Sequence, residues 1–255
     1  MREKFFRGEA VFGAHVFTTD PEVTESLGLH GYEFIWIDGE HAPFDKAELL
    51  GHILASSAAG VASIVRVAWN DPVLVKPVLE MGPDGILLPM VSTKEQAERA
   101  VAACRYPPHG VRGFGPRRAN QYGALPNPDY LEQVDDSFLR IVQIEHVDAV
   151  NNLEGIASVE GIDMLMVGPN DLSASIGCLG RTRDPKARAL MDEIAHKAKK
   201  AGKPFGVSLG PGDRESVREW VERGAVMIGC GDDLSFLNMG ARDTLKFLHS
   251  LVGRA

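Results

Sequence analysis

One rhythm recurs along this chain: a short apolar run, then a turn, then a longer stretch with helical spacing. The apolar runs are near-continuous and rich in β-branched residues, which is typical of parallel strands covered on both faces. Eight strands alternating with helices over 255 residues predict a (β/α)8 barrel, and we expect residues 1–255 to form a single domain. The runs begin at Val11, Phe34, Ala62, Gly85, Leu139, Met164, Pro204 and Val226.

Helix signals flank several of the stretches between these runs. Asp45 and Asp71 are placed to cap helix N-termini, and Gly60 follows a helix where a left-handed residue is expected. The rival fold is a doubly wound open sheet, which would usually show a Gly-rich dinucleotide turn after an early strand, and the sequence has none. The predicted helices are Lys46–Ser57, Val73–Met81, Lys94–Cys104, Ala149–Val159, Pro185–Ala201, Asp213–Arg223 and Leu234–Leu251.

Charge and cysteine usage exclude several classes of protein. The net charge is −8 and no Lys/Arg-rich run stands out, so we expect neither nucleic acid nor membrane as a partner. No apolar run approaches twenty residues and no apolar leader follows Met1. Cys104, Cys178 and Cys230 lie far apart and fit no zinc spacing. These features predict a cytoplasmic protein in a reducing environment.

Active sites of (β/α)8 barrels form at the carboxyl ends of the strands, and two carboxylates occupy such positions on neighbouring strands. Glu145 ends the fifth predicted strand and Asp171 follows the sixth. Two carboxylates there would repel each other unless a cation lay between them, and two protein oxygens with water and substrate suit Mg²⁺ or Mn²⁺. The alternative is that each caps a helix or pairs with an arginine.

Two further candidates follow strands 2 and 3. His41 lies just beyond a strand end that also carries Asp38, which makes it a candidate general base, although a surface-loop histidine is an equal alternative. Glu40 would point away from His41 if the strand persisted. Arg66 lies in an apolar run, where its guanidinium would suit a carboxylate or an enolate oxygen, or would form a structural ion pair inside the barrel.

Other chemistries find less support in the sequence. The turns after strands 7 and 8 lie where barrels often bind phosphate, but Asp232 and Asp233 would repel an anion and are better explained as a helix N-cap. The eight apolar runs contain no lysine, so a lyase would work through a metal rather than an imine. A long irregular stretch from Tyr106 to Asp129 carries three arginines and is expected to be functional or an interface.

Seven stretches, in order and at their separations, resemble the HpcH/HpaI family of class II, pyruvate-type aldolases over nearly the whole chain. The resemblance implies a phosphoenolpyruvate/pyruvate-type TIM barrel, with the last helix often exchanged between protomers of a homohexamer arranged as a trimer of dimers. The stretches are Ile37–Asp45, Arg66–Gly82, Leu87–Val91, Arg105–Ala119, Val142–Asp163, Val167–Gly177 and Lys203–Val207.

The same resemblance implies a site built around a divalent metal ion (Mg, Mn or Co). Glu145 and Asp171 would hold the metal, and Arg66 would contact the keto or enolate oxygen of pyruvate with Gln143 beside it. The backbone amide of Asn170 would hold the pyruvate carboxylate. The long arginine-bearing stretch would border the entrance, either of its own barrel or of a neighbouring subunit.

The base would be His41 with Asp38 near it. The family commonly supports that histidine with an Asp after strand 3, where this chain carries Glu80. The longer side chain keeps the charge.

The expected activity is cleavage of a 4-hydroxy-2-oxo acid to pyruvate and an aldehyde, through an enolate held by the metal and Arg66. Two alternatives stay open. The same site would serve an oxaloacetate-type decarboxylase, which needs no base for a hydroxyl. A non-catalytic barrel that binds a small acid is the other, and it should have lost at least one of Glu145, Asp171, Arg66 and His41, all of which are present.

Overall fold

The computed structural model describes residues 4–5 and 7–253, and its eight parallel strands close into a barrel in sequence order. This confirms the predicted (β/α)8 architecture, and every strand begins within one residue of its apolar run. The strands are β1 Val11–Val16, β2 Phe34–Asp38, β3 Ala62–Arg66, β4 Gly85–Leu88, β5 Leu139–Ile144, β6 Met164–Val167, β7 Phe205–Leu209 and β8 Met227–Asp232.

Helices follow the strands and cover the outside of the barrel. Branched residues on the outward faces of the strands, such as Ile35, Val65 and Val142, are buried against these helices. The helices are α1 Pro21–Leu29, α2 Lys46–Ala59, α3 Pro72–Glu80, α4 Lys94–Cys104, α5 Asn127–Gln133, α6 Val147–Asn151, α7 Leu153–Ala157, α8 Pro169–Ala174, α9 Pro185–Lys200, α10 Arg214–Glu222 and α11 Asp233–Leu251.

The capping residues act as predicted. The Asp45 side chain accepts hydrogen bonds from the first turn of α2 and completes a capping box with Glu48. Asp71 accepts from the Val73 amide ahead of α3. Gly60 ends α2 in the left-handed conformation, with φ of 71°.

Three segments differ from the sequence prediction. Helix α1 was not predicted, because its sequence has little apolar periodicity, although Asp20 caps it and Pro21 opens it. The stretch Ala149–Val159 forms two short helices that meet at Asn152 rather than one. The long irregular stretch contains a 3-10 segment, Arg118–Gly123, and the start of α5.

The position of that long stretch excludes the first of the two expected arrangements, in which it borders the site entrance of its own barrel, and leaves the second, in which it borders the entrance of a neighbouring subunit. It runs from the end of α4 to the start of β5, so it crosses the amino end of the strands. Active-site loops of such barrels lie at the opposite, carboxyl end. The stretch is therefore remote from the strand ends that carry the predicted site residues of the same chain.

The last helix, α11, is poorly covered by its own barrel. Leu237, Leu245, Leu248 and Leu251 are all more than half exposed along its length, and Asp233 is its only buried residue. None of the helices in the described part of the chain is long and apolar enough to cross a membrane.

Candidate active site

The barrel interior changes from apolar to polar toward the carboxyl ends of the strands. Trp36, Ile64 and Ile141 belong to the buried apolar cluster of the interior. Side chains two residues further along a strand share its face, so the next inward positions on β2, β3 and β5 are Asp38, Arg66 and Gln143. The inward positions on β1 and β7 at this level are His15 and Ser208. These side chains line one open cavity of about 230 Å³.

Arg66 is the centre of a buried ion-pair network. Asp38 lies opposite it in the β2–β3 register and is fully buried. Its carboxylate accepts from Arg66 Nε at 3.1 Å and makes a second, close contact with Nη2. Arg66 Nη1 lies 2.8 Å from Glu40 Oε2, and the guanidinium stacks 5.3 Å from the centre of the Trp36 ring. The network fixes the guanidinium plane at the mouth of the barrel.

His41 lies near this network, and its backbone rather than its imidazole is hydrogen-bonded to it. Its N–H donates to Asp38 Oδ1 at 3.1 Å, while its imidazole is 61% exposed. The chain turns after Asp38, so Glu40 does not point away from His41 as a continued strand would require. Glu40 Oε2 instead lies 3.9 Å from His41 Nε2. Burial raises the pKa of Glu40, against the opposing effect of Arg66.

Glu145 is a buried carboxylate held by two donors. Its Oε1 accepts from the Met90 N–H at 2.7 Å and its Oε2 accepts from Gln143 Nε2 at 2.6 Å. Met90 has a positive φ of 55°, a conformation that a residue with a side chain adopts at some energetic cost. Burial, reinforced by the charges of Asp171 and Glu40, raises the pKa of Glu145 to about 7 in spite of the Met90 hydrogen bond.

The other proposed metal ligand, Asp171, lies in the first turn of α8 and is exposed. Asn170 precedes it and also lines the cavity, in a turn whose N–H groups lack helical acceptors. Gly168 is required just before, because a Cβ there would lie 2.8 Å from Gln143 Nε2 and 2.9 Å from Glu145 Oε2. The backbone that directly follows β6 thus packs closely on the Glu145 side chain.

The carboxylates of Glu145 and Asp171 are oxygen donors of the kind that fit a divalent cation. No group of three or more metal-binding side chains occurs among residues 4–5 and 7–253, so protein oxygens would fill only part of a coordination shell. Mg²⁺ and Mn²⁺ accept such sites because water and substrate oxygens complete the shell. Burial, and to a lesser extent the charges of Asp171 and Glu40, disfavours the ionised Glu145 carboxylate, and a bound cation would relieve this.

Glu80 is not brought to the site within the chain. It ends α3, whose carboxyl end lies at the amino end of the barrel, and its Oε1 accepts from Arg112 Nη2 at 3.0 Å. Arg112 belongs to the long stretch and also stacks on Tyr106 at 4.5 Å. In its own barrel, Glu80 therefore binds an arginine and does not contact His41.

Both the sequence and the structure of the chain are similar to those of known proteins. The profile described as HpcH/HpaI aldolase/citrate lyase matches residues 12–238. The chain belongs to this family. It is 40% identical over 230 residues to a 5-keto-4-deoxy-D-glucarate aldolase of Salmonella arizonae, across 89% of this chain and 88% of the relative. The chain is therefore a carbon–carbon lyase.

Two solved structures share the fold of this chain. A HpcH/HpaI aldolase/citrate lyase family protein from Burkholderia cenocepacia superposes with a TM-score of 0.91 and 32% identity, covering 97% of this chain and 98% of that one. The citrate synthase SbnG superposes with a TM-score of 0.88 and 30% identity, covering 100% and 99%. SbnG is named a citrate synthase, so this likeness bears on the fold and not on the reaction of this chain.

Sequence reasoning missed several groups that shape the site. It did not identify the Met90 N–H, since a strained backbone donor leaves no residue signature. It also missed His15 and Ser208. The signal for His15 was present, because a histidine interrupts the apolar run of β1 at an inward position.

Proposed function

We propose that this chain is a metal-dependent aldolase that cleaves a 4-hydroxy-2-oxo sugar acid to pyruvate and an aldehyde. The observation that carries the proposal is that Asp171 and the fixed Arg66 guanidinium line one cavity with Gln143, whose amide holds the buried Glu145 carboxylate directly behind it. The substrate class follows from the Salmonella arizonae relative. Retro-aldol cleavage of 5-keto-4-deoxy-glucarate would give pyruvate and tartronate semialdehyde.

Glu145 and Asp171 would hold the divalent metal. When bound, the ion supplies a Lewis acid for the keto oxygen of the substrate. The chain's own contribution is to position its ligands, since Met90 and Gln143 fix both oxygens of Glu145 before any ion arrives. Such second-layer hydrogen bonds orient ligands and tune the site.

Arg66 would bind the substrate oxygen that becomes negative when the C3–C4 bond breaks. Because Asp38, Glu40 and Trp36 hold the guanidinium in place, little reorganisation accompanies the developing charge. The backbone N–H of Asn170, in the first turn of α8, would donate a hydrogen bond to the substrate carboxylate.

His41 would take the proton from the 4-hydroxyl group. Its imidazole is exposed at the mouth of the cavity, so it can reach a substrate hydroxyl directly or through one water. Glu40 lies near enough to favour a protonated imidazole during the step.

We further propose that the active form is a homo-oligomer of this one-domain barrel. The exposed leucine stripe of α11 would be buried against a second copy, consistent with an exchanged last helix and a hexamer. A neighbouring copy could also bring its long arginine-bearing stretch or Glu80 toward the cavity.

The experiment that tests the function compares two reactions in wild type and His41→Ala. Pyruvate release is measured from a 4-hydroxy-2-oxo acid and, separately, from oxaloacetate. An aldolase with His41 as its base should lose most cleavage in the variant while retaining decarboxylation, because loss of CO₂ needs no hydroxyl deprotonation. Wild-type protein that decarboxylates oxaloacetate but cleaves no hydroxy-oxo acid would instead support the decarboxylase.

A further inference from the structure

The arc of the cavity formed by β7, β8 and β1 carries a polar pair that the proposed cleavage does not use. His15 on β1 is 6% exposed, and its Nε2 lies 2.9 Å from Ser208 Oγ on β7. Both residues line the cavity that also holds Arg66 and Asn170. The pair therefore lies across the barrel mouth from the Arg66 and Glu145 side.

The hydrogen bonds fix which atom donates to which. His15 Nδ1 lies 2.9 Å from the Gly231 carbonyl oxygen, which can only accept, so Nδ1 carries the hydrogen. Burial lowers the pKa of His15, which keeps the ring neutral and leaves Nε2 with a lone pair. Nε2 must then accept from the Ser208 hydroxyl. The free lone pairs of Ser208 Oγ remain available to a ligand.

The surrounding structure is built to hold the imidazole in this position. A Cβ at residue 229 would lie 2.8 Å from His15 Cε1, so glycine is needed on β8 to admit the ring. On the other side, the Trp36 ring lies 4.9 Å away, centre to centre. Trp36 also carries the Arg66 guanidinium, so one indole supports both sides of the cavity.

The chemistry of this arc favours a neutral hydrogen-bond donor over an anion. Its cavity-lining members are His15, Phe17, the β7 end from Ser208 to Gly210, and Asp232, and none of them is a lysine or arginine. Asp232 adds a carboxylate acceptor. A hydroxyl group satisfies such acceptors, whereas a phosphate or carboxylate group would be repelled, so an aldehyde such as tartronate semialdehyde would turn its hydroxyl toward this arc and its carboxylate away from it.

We propose that Ser208, oriented by His15, accepts a hydrogen bond from the hydroxyl on the carbon next to the aldehyde carbonyl. The site thereby selects α-hydroxyaldehydes over unsubstituted aldehydes. This proposal deepens the aldolase function and rests on it. His15 is a positioning residue, since it acts through the serine.

The kinetic test uses the synthesis direction, with pyruvate and either glycolaldehyde or acetaldehyde, which differ only by that hydroxyl. The measured quantity is the ratio of kcat/KM for the two aldehydes. Ser208→Ala should lower the ratio by about tenfold, the scale of one lost hydrogen bond. The control is Ser158→Ala, at an exposed serine that bonds a local carbonyl. An unchanged ratio in Ser208→Ala would overturn the proposal.

A second readout does not need turnover. In metal-free protein with ¹⁵N-labelled histidine and saturating pyruvate, glycolaldehyde should shift the His15 Nε2 resonance and acetaldehyde should not. His15→Phe assigns the resonance, and Ser208→Ala should abolish the shift. Equal shifts with both aldehydes, or none, would contradict the proposal. A glycolaldehyde-specific shift in a protein that joins neither aldehyde to pyruvate would retain the subsite and reject the aldolase function.

Discussion

Arg66 combines a structural and a functional role, and substitutions can separate the two. In Arg66→Ala the fully buried Asp38 loses its charged partner, so we expect a loss of about 3–5 kcal/mol in the free energy of unfolding as well as inactivation. Arg66→Lys keeps a charge beside Asp38 but loses the planar fork. It should unfold near the wild-type midpoint, while kcat falls on the order of 10²–10³.

Urea unfolding and pyruvate release check both expectations for Arg66. Near-normal turnover in a folded Arg66→Lys protein would remove the guanidinium from its assigned role.

Gly168 offers a test of how tightly β6 packs on the Glu145 carboxylate. Gly168→Ala would place a methyl group within 3 Å of Glu145 Oε2 and Gln143 Nε2 and so displace one of them. We expect at least a tenfold weaker apparent affinity for Mn²⁺, on the scale of disturbed second-layer contacts. The matched control is Gly155→Ala, where a Cβ would meet Lys94 at an ordinary 3.5 Å. Equal Mn²⁺ affinity in the two variants would contradict this account.

At the residue scale, the sequence predicted which residues line the site better than it predicted which side chains contact one another. The rule that barrel sites lie at strand ends selected Asp38, Arg66 and Gln143, and the structure brings them to one cavity. The sequence could not show that Asp38 pairs with Arg66 rather than with the His41 imidazole, because the first contact depends on the β2–β3 register and the second on the turn after β2. Nor could it show that Glu80 would bind Arg112, since that contact joins segments 32 residues apart.

At the element scale, helix α11 presents a leucine stripe that its own barrel leaves exposed. If this stripe is buried between copies, Leu245→Glu should dissociate the assembly, because a charge would be transferred into an apolar contact. The matched control is Ser250→Glu, which adds the same charge on the opposite face of the helix. Sedimentation or light scattering gives the molar mass. An unchanged assembly in Leu245→Glu would exclude this face as the interface.

Strands and helices were predictable where the apolar pattern of the sequence was strong. All eight strands lie where the continuous apolar runs begin, because strands buried on both faces have little choice of residue. Helix α1 was not predicted because Asp20 and Pro21 mark only its start, and the segment that follows them has little apolar periodicity. The long stretch before β5 follows a predicted helix and precedes a predicted strand, so the order of elements already places it at the amino end of its own barrel.

At the scale of the whole molecule, a bound cation should stabilise the fold. The buried Glu145 and its acidic neighbours repel one another without a counter-ion. A ligand that binds only the native state at 100 times its Kd adds about 2.7 kcal/mol, so Mn²⁺ should raise the Tm of wild type. It should have little effect on Glu145→Gln, while the exposed-site control Glu160→Gln should behave as wild type. A Tm rise of equal size in Glu145→Gln would place the ion elsewhere.

The most direct measurement of the central claim is pyruvate release from a 4-hydroxy-2-oxo acid by protein stripped with EDTA and then supplied with Mg²⁺, Mn²⁺ or Co²⁺. A parallel sample is treated with borohydride, which traps imines. We predict that activity disappears with EDTA, returns with metal and is unaffected by borohydride, as expected for barrel strands without lysine. Pyruvate release that survives complete metal removal, or that borohydride abolishes, would contradict the metal-dependent mechanism.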